Sequence, residues 1–541
     1  MTSPQELFTK EANAENTYEF YFFNDYNEQP RNSFKDWDVE HSTSQSILTC
    51  IISLLTLVSS SNFVEWINEM SIEVSNFFIV YAKELPIWIP PEAPTIWEVR
   101  YLWLKDIDFF YAIRILKPFF DKVPFNQIGL FDTSLVLELG PSIALSLLTS
   151  FLYFIVACYY YQNVDNFIKY KSFILFTVLG ELSLMVTFLT ANFFVFYTLF
   201  EFILIPFFFI VLLWGSRINR ISAAFRLIFF TLVFSGPLTI VIATNLYNNH
   251  FSFDFDMLQS TLATNTLSIQ LFFYISALLA FAVKIPMFPA HVWLPEAHGE
   301  APTFGSVLLA GVLLKLGGYG FYRIFFEFVD PNWTIANVNF FAIVYTISII
   351  TILYSNIVVF SQLDIKRTIA YYSIGHIGFV TLGYATSLIE GSTGANLIIL
   401  AHGLSAAGLF FCVGYLYEQT HTRSILAYRG IAVTIPYFST LLFFFICANV
   451  SLPGSLNFIG EQIVLISLTK VNAALATLPL LGVLLNGLSS FLFLLRICFG
   501  EQTETSVKIK DISIVQTILL SVLFFPVIYF GFFSSLVTEL F

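Results

Sequence analysis

Residues 271–295 read LFFYISALLAFAVKIPMFPAHVWLP, an apolar run with one ammonium, Lys284, in its middle. Pro286 and Pro289 follow that lysine at once. Each proline removes an amide donor and cannot sit inside an unbroken helix, so a membrane span is predicted to break at Lys284. Downstream, SVLLAGVLL (306–314) leads straight into a second lysine, Lys315, and the run KLGGYG. A charge at mid-membrane costs roughly 3 kcal/mol or more unless it faces protein or water, so intramembrane lysines mark functional positions. Glu201 before this region and Glu461 after it lie in similar surroundings, which points to a route for protons or ions.

The whole composition agrees with that setting. Of 541 residues, 57% are hydrophobic and 11% charged, and the mean hydropathy is +0.76. Soluble domains carry about 25% charged residues, so this is a polytopic membrane protein. The 64 phenylalanines hint at T-rich codons, as in AT-rich organellar genomes. The net charge of −12 is concentrated at the start, where residues 1–46 hold nine acids and three bases. That is neither an Arg-rich presequence nor a signal peptide. The expectation is synthesis inside the compartment whose membrane the chain enters.

A span needs about 20 apolar residues. Candidates are 135–161, 172–190, 191–214, 224–246, 267–289, 303–326, 338–361, 367–389, 394–417, 431–470, 473–499 and 512–537. Stretches 47–60 and 72–90 are shorter or flecked with polar residues. PIWIPPEAPTIWEVRYLWLKD (86–106) has the aromatic character of an interfacial segment. The predicted fold is therefore an all-α polytopic membrane protein of about fourteen helices. An acidic extension (1–46) and a membrane or interfacial region (47–130) would precede the main transmembrane domain (131–541). Loop charge gives orientation. Arg217 and Arg220, Lys366 and Arg367, and His421, Arg423 and Arg429 fall at one set of helix ends, Asp254, Asp256 and Glu390 at the other. The positive-inside rule puts the basic set on the matrix or cytoplasmic side.

A second break is predicted at Leu452-Pro453-Gly454, within 431–470 and just ahead of Glu461. Interrupted spans in corresponding positions of two halves point to inverted repeats with binding groups at the midplane. The repeats would cover about 172–326 and 338–499, giving one half-channel around Lys284 and one around Glu461.

Each candidate has a plain structural alternative. Glu201, in FVFYTLFEFILIPFFF with no nearby polar residue to lend it solvent, is either a carboxylic acid kept neutral by burial or the partner of Lys284 on a neighbouring helix. In the second case its approach would load or release the lysine proton. Lys315 either snorkels from a helix end or, with a helix start near Thr303, sits about three turns deep. His376 and His402 each fall inside a span, flanked by Gly or Ser. They are structural hydrogen-bonding groups or relays whose unperturbed pKa near 6.5 suits proton passage. Glu181 is a possible modulator. Arg226 is a positive-inside anchor or the salt partner of an acid. His291, Glu296, His298 and Glu300 form either a solvated loop or a proton mouth.

No GxGxxG follows a strand, there is no P-loop, and the cysteines at 50, 158, 412, 447 and 498 stand singly. Nucleotide, flavin, iron–sulfur and metal sites are not expected in this chain, so a partner or an ion gradient must supply the energy.

The segment AFAVKIPMFPAHVWLPEAHGEAPTFGSVLLAGVLLKLGGYGFYR (280–323) resembles the signature of the antiporter-like subunits of respiratory complex I. AHGLSAAGLFFCVGYLYEQTHTR (401–423) and SLPGSLNFIGE (451–461) resemble the subunit-4 branch of that family. The resemblance runs from about residue 130 to the end. It implies fourteen helices with two inverted five-helix repeats, and functional roles for Glu201, Lys284, Lys315, His376, His402 and Glu461. Glu461 favours the subunit-4 branch, because branches 2 and 5 usually carry lysine there. Also implied is proton translocation driven by redox chemistry elsewhere, with NADH, FMN, iron–sulfur clusters and ubiquinone in other subunits. Implied partners are subunits 2 and 5, accessory subunits and lipids such as cardiolipin, with no nucleic acid, in the mitochondrial inner membrane. In that scheme Glu201 and Lys284 switch, Lys315 and the histidines pass protons laterally, and Glu461 exchanges with the outlet side. Two other classes stay open: a subunit of a multisubunit cation/proton antiporter, and a non-conducting scaffold.

Overall fold

The computed structural model describes residues 140–162, 167–248, 254–329, 333–335, 338–507, 509–539 and 541. The acidic extension, the region 47–130 and the two uncertain spans within it lie outside the described residues. Every other predicted span is a helix. In chain order these are α1 (Gly140–Gln162), α2 (Phe167–Leu189), α3 (Phe193–Phe202), α4 (Leu204–Trp214) and α5 (Arg220–Asn248). Next come α6 (Phe255–Thr264), α7 (Leu267–Lys284), α8 (Trp293–Glu300) and α9 (Thr303–Phe326). The remainder are α10 (Phe340–Val359), α11 (Ile365–Ala385), α12 (Ile389–Thr420), α13 (Pro436–Asn449), α14 (Leu456–Val471), α15 (Ala473–Cys498) and α16 (Ile514–Phe532). Among the described residues, ten helical spans are long and apolar enough to cross a membrane. A two-residue hairpin, Thr334–Ile335 with Val338–Asn339, is an extramembrane addition.

Burial sorts the helices. In α9 and α12 the most apolar stretch is 100% and 94% buried, against 22% in α16. The outer helices present Leu480, Leu484, Leu488, Phe525 and Phe532 outward, as lipid-facing surfaces do. The central pair can pack so deeply because small residues face each other. A β-carbon on Gly403 would come 3.1 Å from the Gly311 carbonyl oxygen, so the two helices cross backbone to backbone. Lys315, one turn beyond Gly311, and His402, beside Gly403, therefore sit at the crossing and away from lipid.

Both predicted breaks are present. α7 ends at Lys284, and the freed backbone groups find other partners. Ile285 N donates to Phe281 O at 2.8 Å, Met287 N to Ala282 O at 2.8 Å, and Phe288 N to the Thr351 hydroxyl at 3.0 Å. The Trp293 indole N–H takes the Val283 carbonyl at 2.9 Å. At the second break α13 stops at Asn449 and α14 starts at Leu456, with Ser451 at φ 60° and Gly454 at φ 98°. Here side-chain amides do the work of the indole. Asn457 Nδ2 donates to Ala448 O at 2.7 Å, and Asn486 Nδ2 to Asn449 O at 2.9 Å. Without such partners, backbone groups at this depth would be unsatisfied.

A third interruption was not predicted. The span 191–214 is broken at Ile203, between α3 and α4. Pro206 is the cause: it supplies no amide to the carbonyl four residues earlier and its ring clashes with it. Glu201 lies in the turn just before the break.

Candidate functional site

The six predicted residues fall into two groups. Lys315 Nζ donates to the Ala310 carbonyl at 2.8 Å and lies 2.6 Å from His402 Nδ1. The backbone over Leu309–Leu313 is a π-helical turn, which displaces the Ala310 carbonyl from α-helical pairing and leaves it facing the lysine. Such bulges recur at functional sites. The His402 ring then meets the His376 ring, with centroids 5.7 Å apart. His376 Nδ1 is 2.9 Å from Glu461 Oε1, and its Nε2 is 3.2 Å from Asn449 Oδ1. With an acceptor at each nitrogen, the ring can carry both of its protons in place. Lys315, His402, His376 and Glu461 are all buried, at 1–3% exposure. They form one contiguous file across α9, α12, α11 and α14.

The second group is less closed. Lys284 Nζ donates to the Phe200 carbonyl at 3.0 Å and lies 4.5 Å from the Phe200 ring centroid. Glu201, the next residue, has both carboxylate oxygens buried without a hydrogen-bond partner. Lys284 and Glu201 interact electrostatically without forming an ion pair. Glu201 does have polar neighbours, contrary to expectation: Tyr197, one turn earlier, and Ser235 of α5. Tyr197 is held there by the Ser235 carbonyl at 2.9 Å and the Thr239 hydroxyl at 2.7 Å. Sequence proximity could show Tyr197 but not the contribution of α5.

The groups meet through backbone. A β-carbon on Gly317 would lie 2.8 Å from Ile285 N and 3.0 Å from the Lys284 carbonyl carbon, so α9 rests on the broken end of α7. No side-chain hydrogen bond joins Lys284 to Lys315 among the described residues.

Around the basic helix ends the connector after the first break is mostly buried. His291, His298 and Glu300 are 3%, 0% and 4% exposed. Neither ring nitrogen of His298 has a partner, and the ring stacks on Phe410 at 4.6 Å. Burial, with Lys366 and Lys315 nearby, pushes the His298 pKa down to about 3, so the ring is neutral at ordinary pH. Arg423 approaches Glu300 at 3.6 Å and Asp364 at 3.8 Å, and Lys366 Nζ donates to the Ala301 carbonyl at 2.7 Å. Lys366 and Arg423, placed by sequence at the basic helix ends, are each 1% exposed. They pack on the connector because it brings carbonyls and a carboxylate to that end. Arg226 pairs with Glu296, as a salt partner rather than an anchor. Glu181 lies in the electrostatic range of Tyr153.

Asn449, Asn457 and Ser235 are neighbours of the site that the sequence did not reveal. Only the polar character of Asn449 and Asn457 beside the second break could have marked them. Among the described residues, no three His, Cys, Asp or Glu side chains are grouped to hold a metal.

Residues 190–489 match the family model of the NADH:quinone oxidoreductase/Mrp antiporter transmembrane region. The chain is 33% identical over 499 residues to NADH-ubiquinone oxidoreductase chain 4 of Marchantia polymorpha, covering 91% of this chain and 94% of the relative. An alignment of that length reaches into residues 1–130, which the sequence resemblance had left out. A chain of respiratory complex I from Thermus thermophilus superposes with a TM-score of 0.63 at 28% identity, covering 74% of this chain and 83% of that one. A chain of an Mrp complex from Dietzia gives a TM-score of 0.64 at 18% identity, over 74% and 82%, a likeness of fold alone.

Proposed function

This chain belongs to the antiporter-like membrane-subunit family that includes chain 4 of NADH-ubiquinone oxidoreductase, and from that premise we propose how its residues act. It is a multi-pass, proton-translocating subunit of the membrane arm of complex I, and so part of an NADH:ubiquinone reductase whose redox centres lie in other subunits. The observation that carries the assignment is the buried file Lys315–His402–His376–Glu461, in which each member touches the next. Idle ionisable groups at membrane depth are costly, and four in contact form a path for protons. Glu201 and Lys284 act as the switch. When the carboxylate closes on the ammonium, the lysine holds its proton. When it withdraws, the proton is released toward Lys315.

Residues 172–326 and 338–499 are read as the two repeats, because each has a break beside an ionisable group, at Lys284 and just ahead of Glu461, the first repeat having a further break at Ile203. Chains 2 and 5 are the proposed neighbours within the arm, with accessory subunits and cardiolipin at the lipid-facing helices. The proposed location is the mitochondrial inner membrane, with synthesis in the organelle, supported by likeness to a liverwort chain 4. Lys284→Met and Glu201→Gln should each cut proton pumping and coupled electron transfer while the complex still assembles. Normal pumping by both variants overturns the assignment. The family's shared description with Mrp antiporters supports a second reading, a cation/proton antiporter subunit. That protein would purify without redox partners and respond to sodium.

A further inference from the structure

The His376–Glu461 pair lies at the inner end of a polar seam that the proposed file does not use. On α11, Thr368, Tyr372 and His376 recur every four residues and share one face. On α15, Asn486, Ser489, Ser490 and Arg496 form the facing side. Asn449, which meets His376 Nε2 through its oxygen, donates through Nδ2 to Ser490 Oγ at 3.3 Å. Ser490 Oγ donates in turn to Asn486 Oδ1 at 3.4 Å. The Tyr372 hydroxyl is buried and makes no well-formed hydrogen bond, yet it lies in reach of both the Ser489 and Ser490 hydroxyls. Buried hydroxyls are normally paired, so this one marks a place that a water or a turned hydroxyl completes.

Two tight clefts flank the seam, the outer with room for about one water and the inner, as it stands, with none. The inner one is bounded by Asn356, His376, Glu461 and Asn486. The outer one is bounded by Gln362, Thr368, Ser489 and Arg496, at the ends of α10 and α15 where the basic loops lie. Arg496 is exposed there. Toward the opposite, acidic ends the pair is closed off. A β-carbon on Gly394 would come 2.9 Å from the Val464 side chain and 3.0 Å from the Gly460 carbonyl oxygen, so α12 and α14 are in backbone contact. Further toward that end Thr381 and Ser348 bond each other at 2.7 Å, and so do Tyr384 and Asn396 at 2.7 Å.

We infer that the His376–Glu461 pair exchanges protons with the basic face, through Tyr372 and the Ser489 and Ser490 hydroxyls. This reverses the expectation that Glu461 serves the outlet. A proton leaves water at the Arg496 mouth. Each hydroxyl or water along the seam accepts one proton and passes one on, and the last goes to the His376 ring or the Glu461 carboxylate. The charged or titratable groups facing the seam are Arg496 at Tyr372, and Glu461 and His402 at His376. Tyr372 and the two serine hydroxyls each pass a proton on and hold no net charge in this scheme.

The inference rests on the proton-translocating reading, and its test separates the two. Tyr372→Phe and Ser489→Ala are made in the whole complex, checked for assembly on native gels and sealed in vesicles with the basic face outward. At neutral outer pH, pumping should fall roughly threefold or more, since a proton-transfer group has been removed. Acidifying the outer medium by about one unit should restore most of it, because proton supply along the seam has become limiting. Acidifying the lumen should not. Unchanged pumping in both variants, a loss that outer acid leaves untouched, or relief by lumenal acid overturns the route. Each of those results leaves the translocation assignment standing, which only intact pumping in Lys284→Met and Glu201→Gln removes. If one variant fails to assemble, the other decides.

Discussion

Lys315 Nζ lies 2.6 Å from His402 Nδ1, while His402 Nε2 is buried without a partner. When Lys315 is an ammonium it has no lone pair, so Nδ1 then accepts, and the proton between them can sit on either nitrogen. A guanidinium cannot give up its proton in a protein. Lys315→Arg should therefore keep the charge, support assembly and still lower pumping tenfold or more, at the modest end of what a proton-transfer group contributes, roughly 100-fold. Proton uptake by sealed vesicles during NADH oxidation measures it. Pumping near the parent rate would show that the lysine acts as a fixed charge.

Glu461 and His376 form the other end of the file. Glu461→Gln preserves the shape and lets the amide hydrogen-bond His376, but it removes the group that takes the proton. Pumping should fall about tenfold or more with little change in thermal stability, since the hydrogen bond, worth roughly 1 kcal/mol, is retained. His376→Leu should do more harm, because it strands Asn449 Oδ1 and Glu461 Oε1 together at a cost of about 1–3 kcal/mol for each buried group. Comparing pumping with the thermal inactivation midpoint of the two variants separates the effects. Equal stability loss in both would mean the pair is structural.

Much of this was legible because proline and charge stand out against an apolar chain. Lys284 with Pro286, and Glu461 with Pro453, announced both breaks, whereas the pairing of His376 with Glu461 was not foreseen. What the sequence hid depends on which helices touch. Ser235 reaches Glu201 from α5, Asn449 reaches His376 from α13, and Lys366 turns inward to the Ala301 carbonyl. Periodicity places a residue on a face of its own helix; it does not say which helix that face meets. The Pro206 interruption was readable by the same rule as the other two, since Glu201 precedes that proline as Lys284 precedes Pro286.

The indole of Trp293 satisfies the carbonyl that the first break frees at Val283. Trp293→Phe keeps most of the buried ring and strands the carbonyl, which should cost about 1–3 kcal/mol. The expected outcome is a lower thermal inactivation midpoint of the assembled complex, with pumping reduced in proportion to assembly. An unchanged midpoint would mean that the carbonyl finds another donor.

Arg226 and Glu296 pair near the surface, with 49% and 26% of their side chains exposed. Solvent and salt screen such a pair, and exposed ion pairs contribute about 0.2–1 kcal/mol. Glu296→Gln should accordingly leave pumping within about twofold of the parent and shift stability by less than about 1 kcal/mol. A large loss of pumping would instead make this pair part of the proton mouth.

Gly317 and Gly318 are adjacent on α9, and their surroundings predict opposite results. A β-carbon at 317 meets the backbone of Lys284 and Ile285 at 2.8–3.0 Å, whereas at 318 it meets the flexible tip of Ile399 at 3.0 Å. Alanine gains about 0.5–1 kcal/mol over glycine inside a helix. At 318 that gain should meet little opposition, so Gly318→Ala should be neutral or slightly stabilising. At 317 the backbone of α7 cannot move aside without moving Lys284, and overpacking of this kind costs typically about 1–3 kcal/mol. Gly317→Ala should therefore lower the inactivation midpoint and reduce pumping by more than its loss of assembly explains, because the lysine's contact with the Phe200 carbonyl shifts too. Thermal inactivation and pumping measured on the two variants side by side check this. Equal behaviour of the pair would mean that the contact between α9 and the broken end of α7 gives way easily and does not position Lys284.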